Sequence, residues 1–394
     1  MTWHCVMQQH QCESDRHHMH LINCNVLNIL ADICQLIALT VNKGINIMID
    51  LLDIKLKVEH IPFGNPRIIN YVKNNATKIK HLSAKSYVND VPITVTSLKN
   101  GSEIWIRGCP LKPYQGHNIY GTNQVTKLGY KLITDVLDEL GIKVSGTQLK
   151  AWKQGKFDID EIHLTHRFPL KSGVRIMQIV SHIHKYSSIA LKPAIIKLGI
   201  GVELTAPHKL ATWMFYDKCQ EFLDKRMKEH SFLEVHVGDD ANSASDLLAK
   251  VAAKSIRAEL KLGKKYLNDN NLNQANCWTI DKVKEVYLHE LSLLNLGSIP
   301  AIQQISTIYA QIDNPKLRSV VVLWANGEDL SKYYAKTAYE KYRRLIRDQF
   351  GIDIKFDLPI NEPAELKLSE IFDFNAILAG FPKSLEKYPE LTFR

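Results

Sequence analysis

The sequence predicts an α+β protein: a central, mostly antiparallel sheet with helices on its faces, followed by a helix-rich C-terminal unit. Three observations predict it. Period-two alternation recurs at separated places, in "MIDLLDIKLKVE" and again in "SIRAELKL", which is the pattern of half-buried strands. Helical stretches fall between such pieces without the regular alternation, or the Gly-rich turns, of a doubly wound sheet. Beyond about residue 286 the strand signal stops and helical spacing takes over.

Residues 1–47 differ in composition from the rest. They hold four of the seven cysteines (Cys5, Cys12, Cys24, Cys34) and five of the sixteen histidines (His4, His10, His17, His18, His20). With two basic and three acidic side chains they carry −1, against +10 for the remainder. The run "HHMHLINC" offers metal-binding side chains, but no second ligand pair stands at finger spacing. No basic segment followed by an apolar stretch and a cleavage site marks a signal peptide. The expectation is an atypical extension, upstream sequence translated ahead of a natural start at Met48. From there Ile54, Leu56 and Val58 alternate with Lys55 and Lys57, giving a first strand.

Strands follow at "VPITVTSL" and "SEIWIRGC", joined by the turn signal Asn100-Gly101. The irregular stretch "PLKPYQGHNIYGTNQ" leads into a helix over "VTKLGYKLITDVLDELG", stopped by Gly141. A strand at "FDIDEIHLTHRF" and a helix at "GVRIMQIVSHIHKYS" come next. Apolar "ATWMFY" reads as a strand entering one helix, "DKCQEFLDKRMKEH", and "SIRAELKL" as a further strand. In the C-terminal unit, "DLSKYYAKTAYEKYRRLIRDQFG" has helical spacing. At about 100° per residue, Lys332, Lys336, Tyr339, Arg343 and Arg347 share a stripe opposite Tyr334, Ala338, Tyr342 and Leu345.

Composition narrows the function. A length of 394 residues, 45% hydrophobic and 23% charged, describes two or three globular domains. A net charge of +9 favours a polyanionic partner, nucleic acid before an acidic membrane surface. No apolar run reaches the length of about eighteen residues that a span needs, because Asp32, Asn42 and Lys43 interrupt the best one. The expectation is therefore a cytoplasmic protein with no membrane partner. The cysteines contain no C-x-x-C pair, which argues against a disulfide framework or a zinc ribbon. The P-loop, the G-x-S-x-G elbow, the H-E-x-x-H helix and the dinucleotide fingerprint are all absent. The chain is therefore not expected to be a P-loop ATPase or to unwind DNA by itself.

Few residues could carry chemistry. In "ATWMFYDKCQEF", Tyr216 stands two residues before Lys218 and five before Glu221. A tyrosine in such apolar company is ordinarily core, so the neighbours must argue for more. In "EIHLTHRF", a strand puts His163 and Thr165 on one face and Ile162, Leu164 and His166 on the other. His163 and His166 converge on a metal only if the strand bulges or turns helical. His117 sits in a loop between Gly116 and Gly121, where backbone can approach a ligand closely. The basic stripe of the late helix, with its tyrosine, suits contact with a phosphate backbone.

These pieces, in this order, resemble the replication initiators of filamentous bacteriophages, the gene II/gene X family. "MIDLLDIKL" is similar to the start of that family, and "CPLKPYQGHNIYGT" to its P-x-K-x-x-Q-G-H-N signature. "FYDKCQEF" resembles its Y-x-K-x-x-E segment, "SIRAELKL" its R-x-E strand, and "TAYEKYRRLIRDQFGIDI" its C-terminal aromatic-basic helix. "DEIHLTHRF" resembles a strand usually written R-I-D-x-T, with Glu161 in place of the Arg and His163 in place of the Asp. The likeness covers most of residues 48–360.

The resemblance implies a rolling-circle initiator that nicks one strand of supercoiled origin DNA and keeps the 5′ phosphate on a tyrosine. It later rejoins the displaced single strand, with host helicase and DNA polymerase as partners. Residues 48–285 would be the nicking and joining domain, on a fold like that of the histidine–hydrophobe–histidine nickases by analogy. Residues 286–394 would be a helix-rich unit that reads origin DNA or binds a partner. Tyr216 would be the nucleophile, with Lys218 lowering its pKa and neutralising phosphate charge. A divalent metal, Mg²⁺ or Mn²⁺, would sit on His163 with His117 and Glu259, or with His166. Gln115, Asn118 and Arg257 would contact DNA, as would Lys332, Lys336, Arg343 and Arg347. The alternative is a sequence-specific DNA-binding regulator that keeps the fold without catalysis.

Overall fold

The structure, a computed structural model, describes residues 47–64, 66–71, 76–81, 84–170, 174, 176–187, 191–196, 200–298, 311–325, 328–350, 354–355, 367–373 and 386–393. The expected extension before Met48, with its histidine and cysteine run, lies outside the described residues.

Eleven strands are described: β1 (Met48–Lys57), β2 (Pro66–Tyr71), β3 (Ala76–His81), β4 (Ala84–Val88), β5 (Val91–Leu98), β6 (Glu103–Gly108), β7 (Asp158–Pro169), β8 (Ala194–Ile195), β9 (Gly201–Thr205), β10 (Ala211–Tyr216) and β11 (Ser255–Gly263). Nine of them form one sheet in the order β4-β5-β6-β1-β7-β11-β10-β9-β8, and β2 pairs with β3 in a separate hairpin. Every neighbouring pair is antiparallel. The α+β class read from the sequence is the class observed.

Each face has a cause in the residue pattern. Along β1 and β11 the apolar set Ile54, Leu56, Ile256, Ala258, Leu260 and Leu262 is buried. These side chains alternate with charged ones, as the period of a strand requires. Where Asn100 adopts a left-handed φ of 54°, the chain turns from β5 into β6, as Asn-Gly predicts.

The helices cover both sides of the sheet: α1 (Lys112–Gln115), α2 (Val125–Glu139), α3 (Gly146–Lys153), α4 (Ile176–Tyr186), α5 (Lys218–Asp224), α6 (Arg226–Val237), α7 (Ala241–Ala253), α8 (Lys264–Asp269) and α9 (Ile280–Leu293). On the apolar side, Tyr287 of α9 donates to the Ala258 carbonyl at 2.9 Å, and its ring meets Trp213 at 4.9 Å. On the other side Phe222, Leu233, Ala241 and Leu248 of α5–α7 form a second core with Ile119 and Leu391. The single helix expected from Asp217 is two, α5 and α6, parted at Lys225, whose φ and ψ of −105° and 14° leave the helical region. Asp217 caps the first by accepting the Gln220 amide at 2.9 Å.

The C-terminal part is helical as read, with α10 (Pro315–Ala325), α11 (Lys336–Phe350) and the short α12 (Leu368–Ile371). Trp324, Leu330, Ile346 and Ile354 build its core, against which Tyr334, Tyr339 and Tyr342 pack. Lys332 falls in the 3₁₀ turn Leu330–Lys332 ahead of α11.

Candidate functional site

Tyr216 ends β10, opposite Arg257 of β11 and Gly201 of β9. Alternation along β10 turns Trp213 and Phe215 to the apolar side and Met214 and Tyr216 to the polar one. There the Tyr216 hydroxyl donates to Glu259 Oε2 at 3.0 Å. The other carboxylate oxygen, Oε1, lies 2.9 Å from His163 Nδ1, and His163 Nε2 lies 2.6 Å from Glu161 Oε1. Arg107 of β6 then donates to Glu161 at 2.7 and 3.0 Å and to Asp53 at 2.7 Å. One chain of polar contacts thus crosses the adjacent strands β10, β11, β7, β1 and β6.

Beside it lies a buried cation. Arg257 has no exposed surface, and its Nη2 pairs with Asp50 Oδ1 at 3.0 Å. Its Nη1 donates to the Asn118 carbonyl at 2.5 Å, and its Cζ stands 5.8 Å from the centre of the Tyr216 ring. Asp50 also accepts from Asn118 Nδ2 at 2.7 Å. It reaches this face because the β1–β7 register shifts between Ile49 and Leu51, which makes Asp50 the extra residue of a bulge. Arg257 Nε and Asn118 Oδ1 are buried with no hydrogen-bond partner among the described residues, one donor and one acceptor left open.

Lys218, also buried, is directed to Glu221, with Nζ 2.5 Å from Oε2. The cation over the phenol ring is therefore Arg257. His163 and Glu259 meet as the metal reading requires, but His166 lies across the strand, its ring 4.8 Å from Phe168 and 6.4 Å from Tyr287. β7 stays extended through both histidines in register with β11, so the two do not converge. Asp50, Glu161 and Arg107 belong to the site and were not among the residues singled out for a role from sequence.

The electrostatics follow from burial. Desolvation raises the Tyr216 pKa well above its ordinary value, against the pull of Arg257, so the phenol keeps its proton in the free protein. Burial alone would lower the His163 pKa, but hydrogen bonds to Glu161 and Glu259 outweigh it and raise the pKa to about 9. Glu259 resists the upward push of burial through its contact with His163 and stays ionised, at about 2. Lys218 is lowered by burial and by Arg257.

Among the described residues no group of three or more His, Cys, Asp or Glu side chains is arranged to hold a metal ion. The pair Glu259 and His163 does supply a carboxylate and an imidazole, donor types that suit a divalent cation. Mg²⁺ characteristically takes one or two protein carboxylates and completes its shell with substrate phosphate and water. Glu259 supplies the carboxylate of that habit, while the His163 imidazole, hydrogen-bonded through both nitrogens, would have to release one of them to act as a ligand.

The strand opposite limits how Tyr216 can sit. A Cβ on Gly201 would lie 2.4 Å from Tyr216 Cβ and 2.6 Å from the Phe215 carbonyl oxygen. Gly201→Ala is expected to lower the unfolding free energy by about 1–3 kcal/mol, the range for overpacking, and to displace the phenol from Glu259. Urea unfolding measures the first effect; an unchanged midpoint would refute it.

The loop after α1 closes the site from one side. Gly116 ends that helix at φ 70°, and a Cβ there would meet the Phe232 carbonyl at 3.0 Å. Gln115 is fully buried: Nε2 donates to the Tyr120 carbonyl at 2.6 Å and Oε1 accepts the Phe393 amide at 3.1 Å. His117 is buried too. Its Nε2 donates to the Leu391 carbonyl at 3.0 Å while Nδ1 accepts the Ile119 amide at 3.2 Å, so both ring nitrogens are in use. The Tyr120 hydroxyl donates to the same Leu391 carbonyl at 3.0 Å. Gln115, Asn118, His117 and Arg257 thus have internal partners.

Burial lowers the His117 pKa to about 3, despite the Leu391 hydrogen bond, and Lys218, Lys112 and His236 push the same way. A depressed pKa places its stabilisation above the ordinary histidine value of about 6.5. That stabilisation is lost as pH falls from about 6.5 toward 3, because the unfolded chain takes up a proton the native one refuses. Wild type should therefore lose on the order of 1 kcal/mol per pH unit more than His117→Gln in urea unfolding between pH 6.5 and 4.5. Parallel profiles would refute it.

On α11, Lys336 is exposed, Arg343 meets Glu340 at 3.4 Å and Arg347 meets Asp348 at 3.5 Å. Lys332, in the preceding turn, is exposed.

Comparison with known proteins places this geometry in a context. Residues 48–281 match the family described as the N-terminal region of the phage gene II replication-associated protein. A curated relative, the replication-associated gene II protein of Enterobacteria phage I2-2, is 21% identical over 320 residues, which is 78% of this chain and 88% of the relative.

Proposed function

The chain belongs to the family of phage gene II replication-associated proteins, and from that premise we propose that it initiates rolling-circle replication by cutting one DNA strand with Tyr216. The observation that carries the reading is the Tyr216 hydroxyl held 3.0 Å from an ionised, buried carboxylate, Glu259. A phenol with a pKa of about 10 or more is a poor nucleophile until a base takes its proton. Glu259 Oε2 is in hydrogen-bond reach of that proton, and His163 fixes the other oxygen.

In the reaction, the phenol oxygen forms a bond to the scissile phosphorus while the bond from phosphorus to the 3′ oxygen breaks. The phenol proton passes to Glu259, and the departing 3′ oxygen collects a proton to become a hydroxyl. Arg257 and Lys218 supply positive charge where the phosphate gains negative charge. Arg257 Nε and Asn118 Oδ1 are a buried donor and a buried acceptor without hydrogen-bond partners among the described residues, beside the phenol that would take up the phosphate. When bound, a divalent cation held by Glu259 and His163 would neutralise charge on the scissile phosphate. The phosphotyrosine link conserves the energy of the ester, so reversal rejoins the strand without ATP. Host polymerase would extend the 3′ hydroxyl and a host helicase would unwind, in the bacterial cytoplasm. No helix among the described residues is long and apolar enough to cross a membrane.

The test is to incubate the protein with supercoiled origin DNA and Mg²⁺ or Mn²⁺, digest it, and map the peptide that carries DNA. The expected peptide contains Tyr216. No adduct under either metal, with specific binding retained, would favour the non-catalytic regulator.

A further inference from the structure

We propose that the β2–β3 hairpin is a ribbon that lies in the major groove of duplex DNA, with Arg67, Lys78 and Lys80 on the face that meets it. The proposal rests on the reading of the chain as an initiator acting on origin duplex, and it gives a role to an element outside the Tyr216 site.

Positive charge is concentrated in this stretch of sequence. Residues 60–89 hold Arg67, Lys73, Lys78, Lys80 and Lys85 and no Asp or Glu. They thus carry +5 in a chain whose total is +9, an asymmetry that marks a segment for a polyanion. The hairpin is also set apart in the fold. β2 and β3 pair with each other and stand outside the nine-stranded sheet, although β3 runs close to β5.

Register sorts the charges. Arg67 stands opposite Lys80, Ile69 opposite Lys78 and Tyr71 opposite Ala76, and the period of two assigns these six to one face. The other face has Ile68 opposite Ile79 and Asn70 opposite Thr77. The arginine of β2 and both lysines of β3 therefore share a face. Like charges directly opposite each other destabilise a strand pair, and a lysine that only guards an edge needs no cation across from it. A polyanion laid along that face removes the cost.

Size and composition select the partner. Six residues in each strand make a ribbon about 20 Å long. The major groove of B-DNA, about 12 Å wide, admits a two-stranded ribbon, and Arg and Lys are the side chains that pair with guanine there. Unpaired strands are held by rows of stacked aromatic rings, whereas this face has Tyr71 alone. Duplex is the better match.

The experiment uses the full chain carrying Tyr216→Phe. Failure of the nicking mechanism then leaves the result readable, and failure of the ribbon leaves the adduct test of Tyr216 untouched. Affinity for a mixed-sequence duplex of about thirty base pairs, and for an oligothymidylate of equal length, is followed against salt. Arg67→Thr, Lys78→Thr and Lys80→Thr together should flatten the duplex slope of log affinity against log salt by roughly 2–3, at about 0.9 per phosphate contact. The oligothymidylate slope should change by less than half as much. The urea midpoint should hold or rise, because the opposed cations are gone. A duplex with 5-iododeoxyuridine at its thymine positions carries iodine in the major groove. Irradiated with the chain that keeps its ribbon residues, it should crosslink to a peptide within residues 66–81, which guards against a variant that misfolds. An unchanged duplex slope, equal losses on the two probes, or crosslinks confined to other peptides would overturn the proposal.

Discussion

Replacing Tyr216 with Phe is expected to abolish the proposed covalent attachment to DNA, a drop of at least about a thousandfold in adduct yield, and to leave the protein folded. The substitution deletes one oxygen and keeps the ring beside Arg257. Glu259 loses the phenol as donor but retains His163 at 2.9 Å, so the stability change should be about 1 kcal/mol. A denaturing gel of protein with origin DNA reads the adduct, and urea unfolding reads the fold. Glu259→Gln refines the assignment, because the amide keeps the shape and cannot take a proton; its adduct should form about 10²–10⁴ times more slowly. Adduct formation by Tyr216→Phe at the wild-type rate would end the case for this residue as nucleophile.

Arg257→Met should lower stability by about 3–5 kcal/mol, the penalty for leaving a buried partner charge without its counter-ion. Arg257 is wholly enclosed, and it holds Asp50 at 3.0 Å and the Asn118 carbonyl at 2.5 Å. It therefore ties the bulge of β1 and the loop after α1 to the centre of the sheet. Lysine should rescue little, since one ammonium group cannot replace a planar fork with several donors. Adding Asp50→Asn to Arg257→Met should recover part of the loss, because the stranded carboxylate is then gone. A single-mutant effect below about 1 kcal/mol would mean that water reaches and solvates this pair.

The strands that read clearly were those with long alternation. β1, β5, β6, β7, β10 and β11 all sit where their patterns put them. β9, only "GVELT", and β4, "AKSYV", are too short for their alternation to stand out from loop sequence. Tyr216, His163 and Glu259 were singled out in advance, and the register of β7, β10 and β11 brings them into one line. Asp50 was not legible: strict alternation assigns it to the side of Leu52 and Ile54, and only a bulge re-aims it. Lys218 is the converse case. Its spacing from Tyr216 suggests a meeting with the phenol, whereas the first turn of α5 delivers it to Glu221, three residues on. The break at Lys225 has neither Gly nor Pro to announce it. The His117 contact depends on a main-chain carbonyl, an acceptor that any residue type at position 391 would provide.

That carbonyl has a consequence for synthesis. Leu391 receives the hydrogen bond of an imidazole made 274 residues earlier. At about 5–20 residues per second on the ribosome, the interval is roughly 15–55 s, plus the time for the new segment to clear the exit tunnel. Through that period the Gln115–Tyr120 loop lacks the acceptor for two of its donors. A nascent or prematurely terminated polypeptide therefore carries an unfinished loop beside Asp50 and Arg257 until translation has passed residue 391.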